Sequence, residues 1–437
     1  MRLTLKQTQA IDFLEDATTT ELLFGGAAGG GKSVLGCYWL LKSSLKYPGT
    51  RWMMGRSQLQ QLKNTTLKTF FDVCKIQGLQ AGVHFEYVQT EKLIKFNNES
   101  QIVLADLYYY PRDPDFDSLG SLEITGAFID ECSQIVGKAK QIVLSRMRYK
   151  LKEYNLKAKL LMTCNPAKKW PYTEFYKPFK EGKLPNERKF IQSLISDNEH
   201  LPEEYAQLLS RLDKPSRQRL LQGLWEYDED PSALMDYDSI TAIFTNTHVQ
   251  PTGKRYMSVD VARFGDDATK IRLWDGLKVF HKVVMFKKST KEVADMLKEL
   301  SKNYQIPPSN IVIDEDGIGG GVVDQFLGTK GFIANSKPVN CKPGEVYENF
   351  KSQCAFKLAE LVKSKSIFEP ETDSLQQEIL IEDLEQIKKK NLDKQSKAGI
   401  IPKDEVKVVI GRSPDDGDTY IMRMYFEVVK TGAMRVL

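Results

Sequence analysis

The stretch LLFGGAAGGGKSVLG, Leu22 to Gly36, decides the fold of the first half of the chain. It sets six glycines and one lysine between an apolar run and a helical pattern. Gly26, Gly31, Lys32 and Ser33 satisfy G-x-x-x-x-G-K-S/T in full. The residues after them (Val34, Leu35, Tyr38, Leu41, Leu45) recur at helical spacing. A strand, a glycine loop and a helix in that order is the context a phosphate loop requires. Glycines let the N–H groups of Gly26, Ala27, Ala28, Gly29, Gly30 and Gly31 turn onto phosphates, and the helix N-terminus adds positive potential. Lys32 is expected to reach the β- and γ-phosphates of ATP and Ser33 to hold Mg²⁺.

Working outward, ELLF, RWMMG, QIVLADL, GAFIDE and KLLMTCNP are short apolar runs alternating with helical patterns. That rhythm predicts an α/β unit with a mostly parallel sheet. GAFIDE ends in Asp130 and Glu131, the acids needed to hold Mg²⁺ through water and to deprotonate the attacking water. Thr163, Cys164 and Asn165 close the next strand, either as a γ-phosphate sensor or as a plain Asn-Pro turn. An arginine finger is expected among Arg56, Arg112, Arg146 and Arg148, and the sequence does not choose between them.

At 437 residues two or three domains are expected. The boundaries read as an ATPase core over 1–170, a helical lid over 171–228, a linker over 229–250 and a second domain over 251–437. In the last, RYMSVDVA, TKIRLWDG and LKVFHKVVMF read as three strands joined by tight turns. The helix STKEVADMLKELSKNY and the strand NIVIDED follow, the order of a ribonuclease H-like sheet. GIGGG after NIVIDED lacks the spacing and downstream acid of a dinucleotide site.

Asp260 and Asp314 lie inside apolar strands, where an unpaired carboxylate is costly. Asp415, Asp416 and Asp418 open a C-terminal helix. Acids from two strands and a helix start can converge on two divalent ions roughly 4 Å apart, Mg²⁺ or Mn²⁺. Capping is the better reading for at least one of the helix acids, and the one-face spacing of Asp415 and Asp418 favours these two over Asp416. The run holding Lys388, Lys389, Lys390, Lys394 and Lys397 is a solvated helix end by default, and a phosphate-backbone patch beside a nuclease site.

Lys+Arg 62 against Asp+Glu 58 leaves +4, so any contact with a polyanion must come from local patches. Six scattered cysteines without C-x-x-C and four separated histidines argue for a reducing compartment and against zinc. No signal peptide or span is read, which places the chain in a cytoplasm.

A phosphate-loop ATPase followed by these acids resembles the large terminase subunit of tailed bacteriophages. The resemblance rests on LTLKQ, GGAAGGGKS, GAFIDE, TCNP, DNEHLPEEYAQLL with RQRLLQGLW, VDVARFGDD, IVIDEDGIGGG and SPDDGDTY, and spans nearly the whole chain. It implies an ATP-driven motor that moves double-stranded DNA through a portal protein into a procapsid, and a nuclease that cuts concatemers. It implies a small terminase subunit as partner, a ring of identical subunits when docked, a monomer in free solution and a host-cell cytoplasm. By likeness Gln7 reads adenine, Thr163 to Asn165 couple hydrolysis to motion, and Asp260, Asp314 and Asp415 or Asp418 bind metal, with Asp266 nearby. Leu119-Gly120 stands where many relatives carry Arg-Gly, which leaves the finger unassigned. The rival expectations are a DNA repair or recombination ATPase-nuclease, or an ATPase with a non-catalytic docking domain.

Overall fold

The computed structural model describes residues 1–110, 113–227, 230–262, 268–316, 318–391 and 396–429. The chain forms two compact units, Met1–Asp228 and Glu229–Leu437.

In the first unit the strands are β1 (Glu21–Gly26), β2 (Arg51–Arg56), β3 (Phe85–Val88), β4 (Leu93–Phe96), β5 (Gln101–Asp106), β6 (Gly126–Ile129), β7 (Lys159–Cys164) and β8 (Arg188–Ser193). They form one sheet in the order β3-β4-β5-β2-β6-β7-β1-β8. From β5 to β8 all neighbours pair parallel, and only β3 and β4 add antiparallel. Every residue of β1, β6 and β7 is buried, because helices cover both faces of such a sheet. The carboxyl ends of β6, β7 and β1 therefore lie side by side in that order, with the glycine loop leaving β1 and Asp130 following β6, on either side of β7.

β8 lies where a wholly helical lid was expected. RKFIQS has too few apolar residues to read as a strand alone, yet it pairs along all of β1. Tertiary pairing overrides local pattern here. Two short helices, Glu203–Ser210 and Lys214–Leu220, follow it.

The second unit holds β9 (Arg255–Asp260), β10 (Ala268–Asp275), β11 (Lys278–Phe286), β12 (Ile311–Asp314) and β13 (Lys330–Phe332). Their order is β11-β10-β9-β12-β13. The first three are antiparallel, and β12 and β13 add parallel, a ribonuclease H-like arrangement. Met257, Val259, Ile271 and Leu273 face a core that includes Val293 and Leu297 of the helix Thr290–Asn303. The alternate residues Tyr256 and Trp274 face a second core, with Leu358 of the helix Phe350–Lys363 and Tyr420 of the helix Asp415–Arg423. Period-two alternation thus sends Ser258 and Asp260 toward the side of the acidic helix.

Residues 230–250 of the expected linker are an ordered part of this unit. Asp236 caps a helix, Tyr237–Ala242, accepting from the Ser239 N–H at 2.7 Å. Leu234, Met235, Ile240 and Ile243 are buried in the second core. The helix is too short for its periodicity to show among the turn residues.

Gly36 lies inside the helix Lys32–Lys46, and a Cβ there would meet three ring atoms of Phe128 at 2.2–2.3 Å. Ala is favoured over Gly in a helix by ~1 kcal/mol, whereas overpacking a core costs ~1–3 kcal/mol. Phe128 is fully buried on β6, so the clash should win. Gly36→Ala is expected to lower the thermal midpoint of the first unit; a raised midpoint would show that the ring has room to move.

Candidate nucleotide and metal sites

The phosphate loop is held from outside by backbone and side-chain bonds. Gly31 sits at φ 72° as N-cap of the helix Lys32–Lys46, a conformation that favours glycine. Lys32 is buried and bends back over the loop. Its Nζ donates to the carbonyls of Gly26 (3.2 Å) and Ala27 and to Asn165 Oδ1 (3.0 Å). Burial lowers its pKa, against the pull of Glu131.

Two expectations for the loop change. The N–H groups of Ala27 and Ala28 donate to the carbonyls of Ser193 and Leu220, each at 2.8 Å, and so anchor the loop instead of facing phosphate. Gln7 is buried with its amide engaged at both ends: Nε2 donates to the Gly31 carbonyl at 2.9 Å, and Oε1 accepts from the Thr4 N–H at 3.0 Å. That geometry makes Gln7 a brace between the first helix and the loop. Asn198 adds a further tie, its Nδ2 donating to the Gly29 carbonyl at 2.6 Å.

Asp130 directly follows β6, with its carboxylate surrounded by donors. Ser33 Oγ (3.1 Å) and Thr163 Oγ1 (2.6 Å) donate to Oδ1, Thr66 Oγ1 (2.7 Å) donates to Oδ2, and Arg56 Nη1 lies 3.9 Å away. The pairing of Ser33 with Asp130 puts both expected Mg²⁺-holding oxygens together. Glu131, next in the chain, has φ 53°, a left-handed conformation uncommon outside glycine. Burial raises its pKa and the Asp130 charge adds to this, while Lys32, Arg56 and the Asn165 N–H oppose it. Thr163 and Asn165 thus act on Asp130 and on Lys32 respectively, more than an Asn-Pro turn requires.

Among the finger candidates, Arg56 ends β2 beside Asp130 and donates to Thr65 Oγ1 at 2.6 Å. Arg148 pairs instead with Glu123 at 2.9 Å, and the Nε of Arg146 is buried without a hydrogen-bond partner. Arg112 lies outside the described residues. Thr66 has no sequence signal beyond its place at a helix start.

In the second unit Asp260 ends β9, and Asp415 and Asp418 lie in the first turn of the helix Asp415–Arg423. Each offers a carboxylate oxygen within 4.8 Å of the others. Lys403 Nζ stands among them, 3.4 Å from Asp260, 3.0 Å from Asp415 and 2.8 Å from Asp418. Lys351 Nζ reaches Asp418 at 2.6 Å. Burial pushes the Asp260 carboxyl up and its acidic neighbours, Asp314 included, push the same way against Lys403. Burial also acts on Asp418, but Lys351 and Lys403 outweigh it and hold this group at about 2. Three hard oxygen donors around an ammonium form a setting that fits Mg²⁺ or Mn²⁺.

Asp314 ends β12 outside that group of three. Burial raises it to about 6. It lines a cleft of about 430 Å³ with Asn335, Asn349, Lys351, Lys403 and Asp418. Asp416 turns away, to Lys270 at 3.0 Å and Arg272 at 2.9 Å. Asp266 lies outside the described residues. Lys403 was missed by sequence reasoning, although a lysine in the first turn of a helix (Lys403–Ile410) opposes the helix dipole and is a signal in itself.

The lysine run is not a helix end. Lys388 and Lys389 form isolated bridges with Ala233 and Ile400. Lys388 pairs with Asp230 at 3.1 Å and Lys390 with Glu348 at 2.7 Å. Lys394 lies outside the described residues. No helix among the described residues is long and apolar enough to cross a membrane.

Comparison with solved structures finds the large terminase from a thermophilic bacteriophage, 15% identical, covering 97% of this chain and 99% of that one at a TM-score of 0.45. The same phage protein in complex with ADP is 15% identical over 96% and 98%, at 0.44. The nuclease domain of the large terminase subunit gp2 of bacterial virus Sf6 is 19% identical over 44% of this chain and 98% of that one, at 0.39. Likenesses at that level carry no further weight. Comparison with curated protein sequences yields no match. Residues 17–220, nearly all of the first unit, match the family described as phage terminase large subunit.

Proposed function

We propose that the chain is a viral DNA-packaging motor subunit. ATP hydrolysis in the first unit drives double-stranded DNA into a procapsid, and a two-metal endonuclease in the second cuts the concatemer. The observation that carries this is the convergence of Asp260, Asp415 and Asp418 in a chain whose first unit matches the terminase family. The portal protein, the small terminase subunit, a ring of identical subunits and a host cytoplasm follow from that match as partners and setting.

In the first unit Lys32 leaves the loop carbonyls for the β- and γ-phosphates, where the ammonium offsets growing negative charge. Ser33 and Asp130 would hold the Mg²⁺ that accompanies ATP. Glu131 accepts a proton from the water that attacks the γ-phosphorus, and its raised pKa suits it to that role. In the second unit Asp260, Asp415 and Asp418 would hold divalent ions, with Asp314 on the adjoining cleft. Bound there, such ions activate water and stabilise the leaving oxygen of a phosphodiester. The chain's own part is to orient the DNA strand along the cleft through Asn335, Asn349, Lys351 and Lys403. Packaging tests the whole proposal: protein, ATP, linear DNA and empty procapsids should yield DNA protected from added nuclease, and none without ATP.

Glu131→Gln should keep nucleotide binding and lose hydrolysis by roughly 10²–10⁴-fold, read as steady-state phosphate release. Lys32→Ala should instead weaken binding itself. Near-normal turnover in Glu131→Gln would remove it as the base.

Asp260→Asn should abolish plasmid cleavage in Mg²⁺ or Mn²⁺ while ATP hydrolysis persists. Without metal it should melt higher than the wild type, because one charge leaves a crowded, buried cluster. Wild-type nicking by this variant would turn the second unit into a docking domain.

A further inference from the structure

Between the two metal-facing acids of the helix Asp415–Arg423 lies Asp416, whose carboxylate points the other way, into the sheet. It meets the guanidinium of Arg272 on β10. Arg272 Nη2 lies 2.9 Å from Asp416 Oδ1, and Nη1 donates to the Asp416 carbonyl at 3.2 Å and to Thr419 Oγ1 at 2.7 Å. Its Nε donates to Glu369 Oε2 at 3.1 Å, and Glu369 in turn accepts from Lys282 Nζ at 2.8 Å and from the Tyr420 hydroxyl at 2.5 Å. Arg272, Glu369, Asp416 and Thr419 are all buried.

The opposite side of the same turn is gripped as well. The Gly417 N–H donates to Asp383 Oδ2 at 3.0 Å, and Arg412 Nη1 holds the other oxygen of Asp383 at 2.6 Å. The helix has no side-chain N-cap, so its first turn, with the orphan N–H groups every helix start carries, is placed by these anchors. Buried ion pairs seldom stabilise a fold more than apolar residues of the same volume would. Their presence beside a carboxylate cluster calls for another use.

We propose that Arg272 is a positioning residue of the metal site: by holding Asp416 and Thr419 it sets the helix turn so that Asp415 and Asp418 close on Asp260. This rests on the proposed nuclease site. Arginine suits the task because its planar fork engages three partners in fixed directions, which a lysine ammonium cannot do. Asp416 is thereby an anchor, and the spacing of the metal-facing acids on either side of it follows from a helix turn whose middle is tied to β10.

The experiment uses the full chain and reads Mn²⁺ binding by titration, thermal unfolding with and without Mn²⁺, and plasmid cleavage against Mn²⁺ concentration. Residues that orient metal ligands cost roughly 10–100-fold in metal affinity when replaced. Arg272→Lys should shift the Mn²⁺ midpoint upward by about that factor, and cleavage should recover at high Mn²⁺. Asp260→Asn, which removes a ligand, should not recover. Thr419→Val keeps the side-chain shape and deletes one bond of the fork; it is the milder second variant should Arg272→Lys fail to fold, and it should move the midpoint in the same direction. A merely structural arginine would lower the melting temperature equally with and without Mn²⁺ and leave the midpoint of the folded protein in place. A midpoint within about twofold of the wild type in the folded variants would overturn the positioning role. Failure of the wild type to bind Mn²⁺ in an Asp260-dependent way would overturn the metal site and, with it, the role of Arg272.

Discussion

Carboxylates packed together away from water repel, and the structure depends on how that repulsion is met. Two unit charges about 5 Å apart interact by about 3 kcal/mol at an effective dielectric near 20. Asp260, Asp415 and Asp418 lie within that range of one another, so ionising all three sets three repulsions of that order against folding. One ammonium in their midst makes three attractions at shorter distance, which is why Lys403 stands where it does. A divalent ion does the same with twice the charge. The arrangement of acids is therefore a cation site first, whichever cation fills it.

The first unit meets the same constraint differently. Asp130 is offered three hydroxyls, from Ser33, Thr66 and Thr163, with Arg56 at the edge. Glu131 receives less, an N–H from Asn165 and the distant charges of Lys32 and Arg56. Adjacent carboxyls in the chain thus sit in unlike settings. Asp130, with its hydroxyl donors, is placed to hold metal, and Glu131, with fewer donors and its pKa raised by burial, takes up a proton more readily. Such separation of neighbouring acids is how one site supplies both a metal ligand and a base.

The legible part of the fold was what short-range pattern carries. The glycine loop names its own strand and helix, and the five apolar runs of the first half became the parallel strands β1, β2, β5, β6 and β7. What stayed hidden depends on partners far off in the chain. RKFIQS is a strand because β1 lies beside it, and the turn-rich stretch before β9 is ordered because a core receives Leu234, Met235, Ile240 and Ile243. Asp260 and Asp314 showed themselves as acids in apolar strands, but Lys403, 143 residues from Asp260, offered only its place in the first turn of a helix, which does not say what it faces. The lysine run was read by charge alone, and charge does not reveal that Asp230 and Glu348 are its neighbours.

The segment DDGD shows why acids of one type take different parts. All three aspartates lie in the first turn of one helix, and their own sequence barely distinguishes them. Asp415 and Asp418, three apart, share a face and look toward Asp260 and Lys403. Asp416, one step round, looks at β10, where period-two alternation has put Lys270 and Arg272 on the same side as each other. Helical and strand periodicity together thus divide one acidic run into ligands and an anchor. Gly417 completes the turn: its Cβ would lie 3.0 Å from that of Asp383, so the position has little room for a side chain.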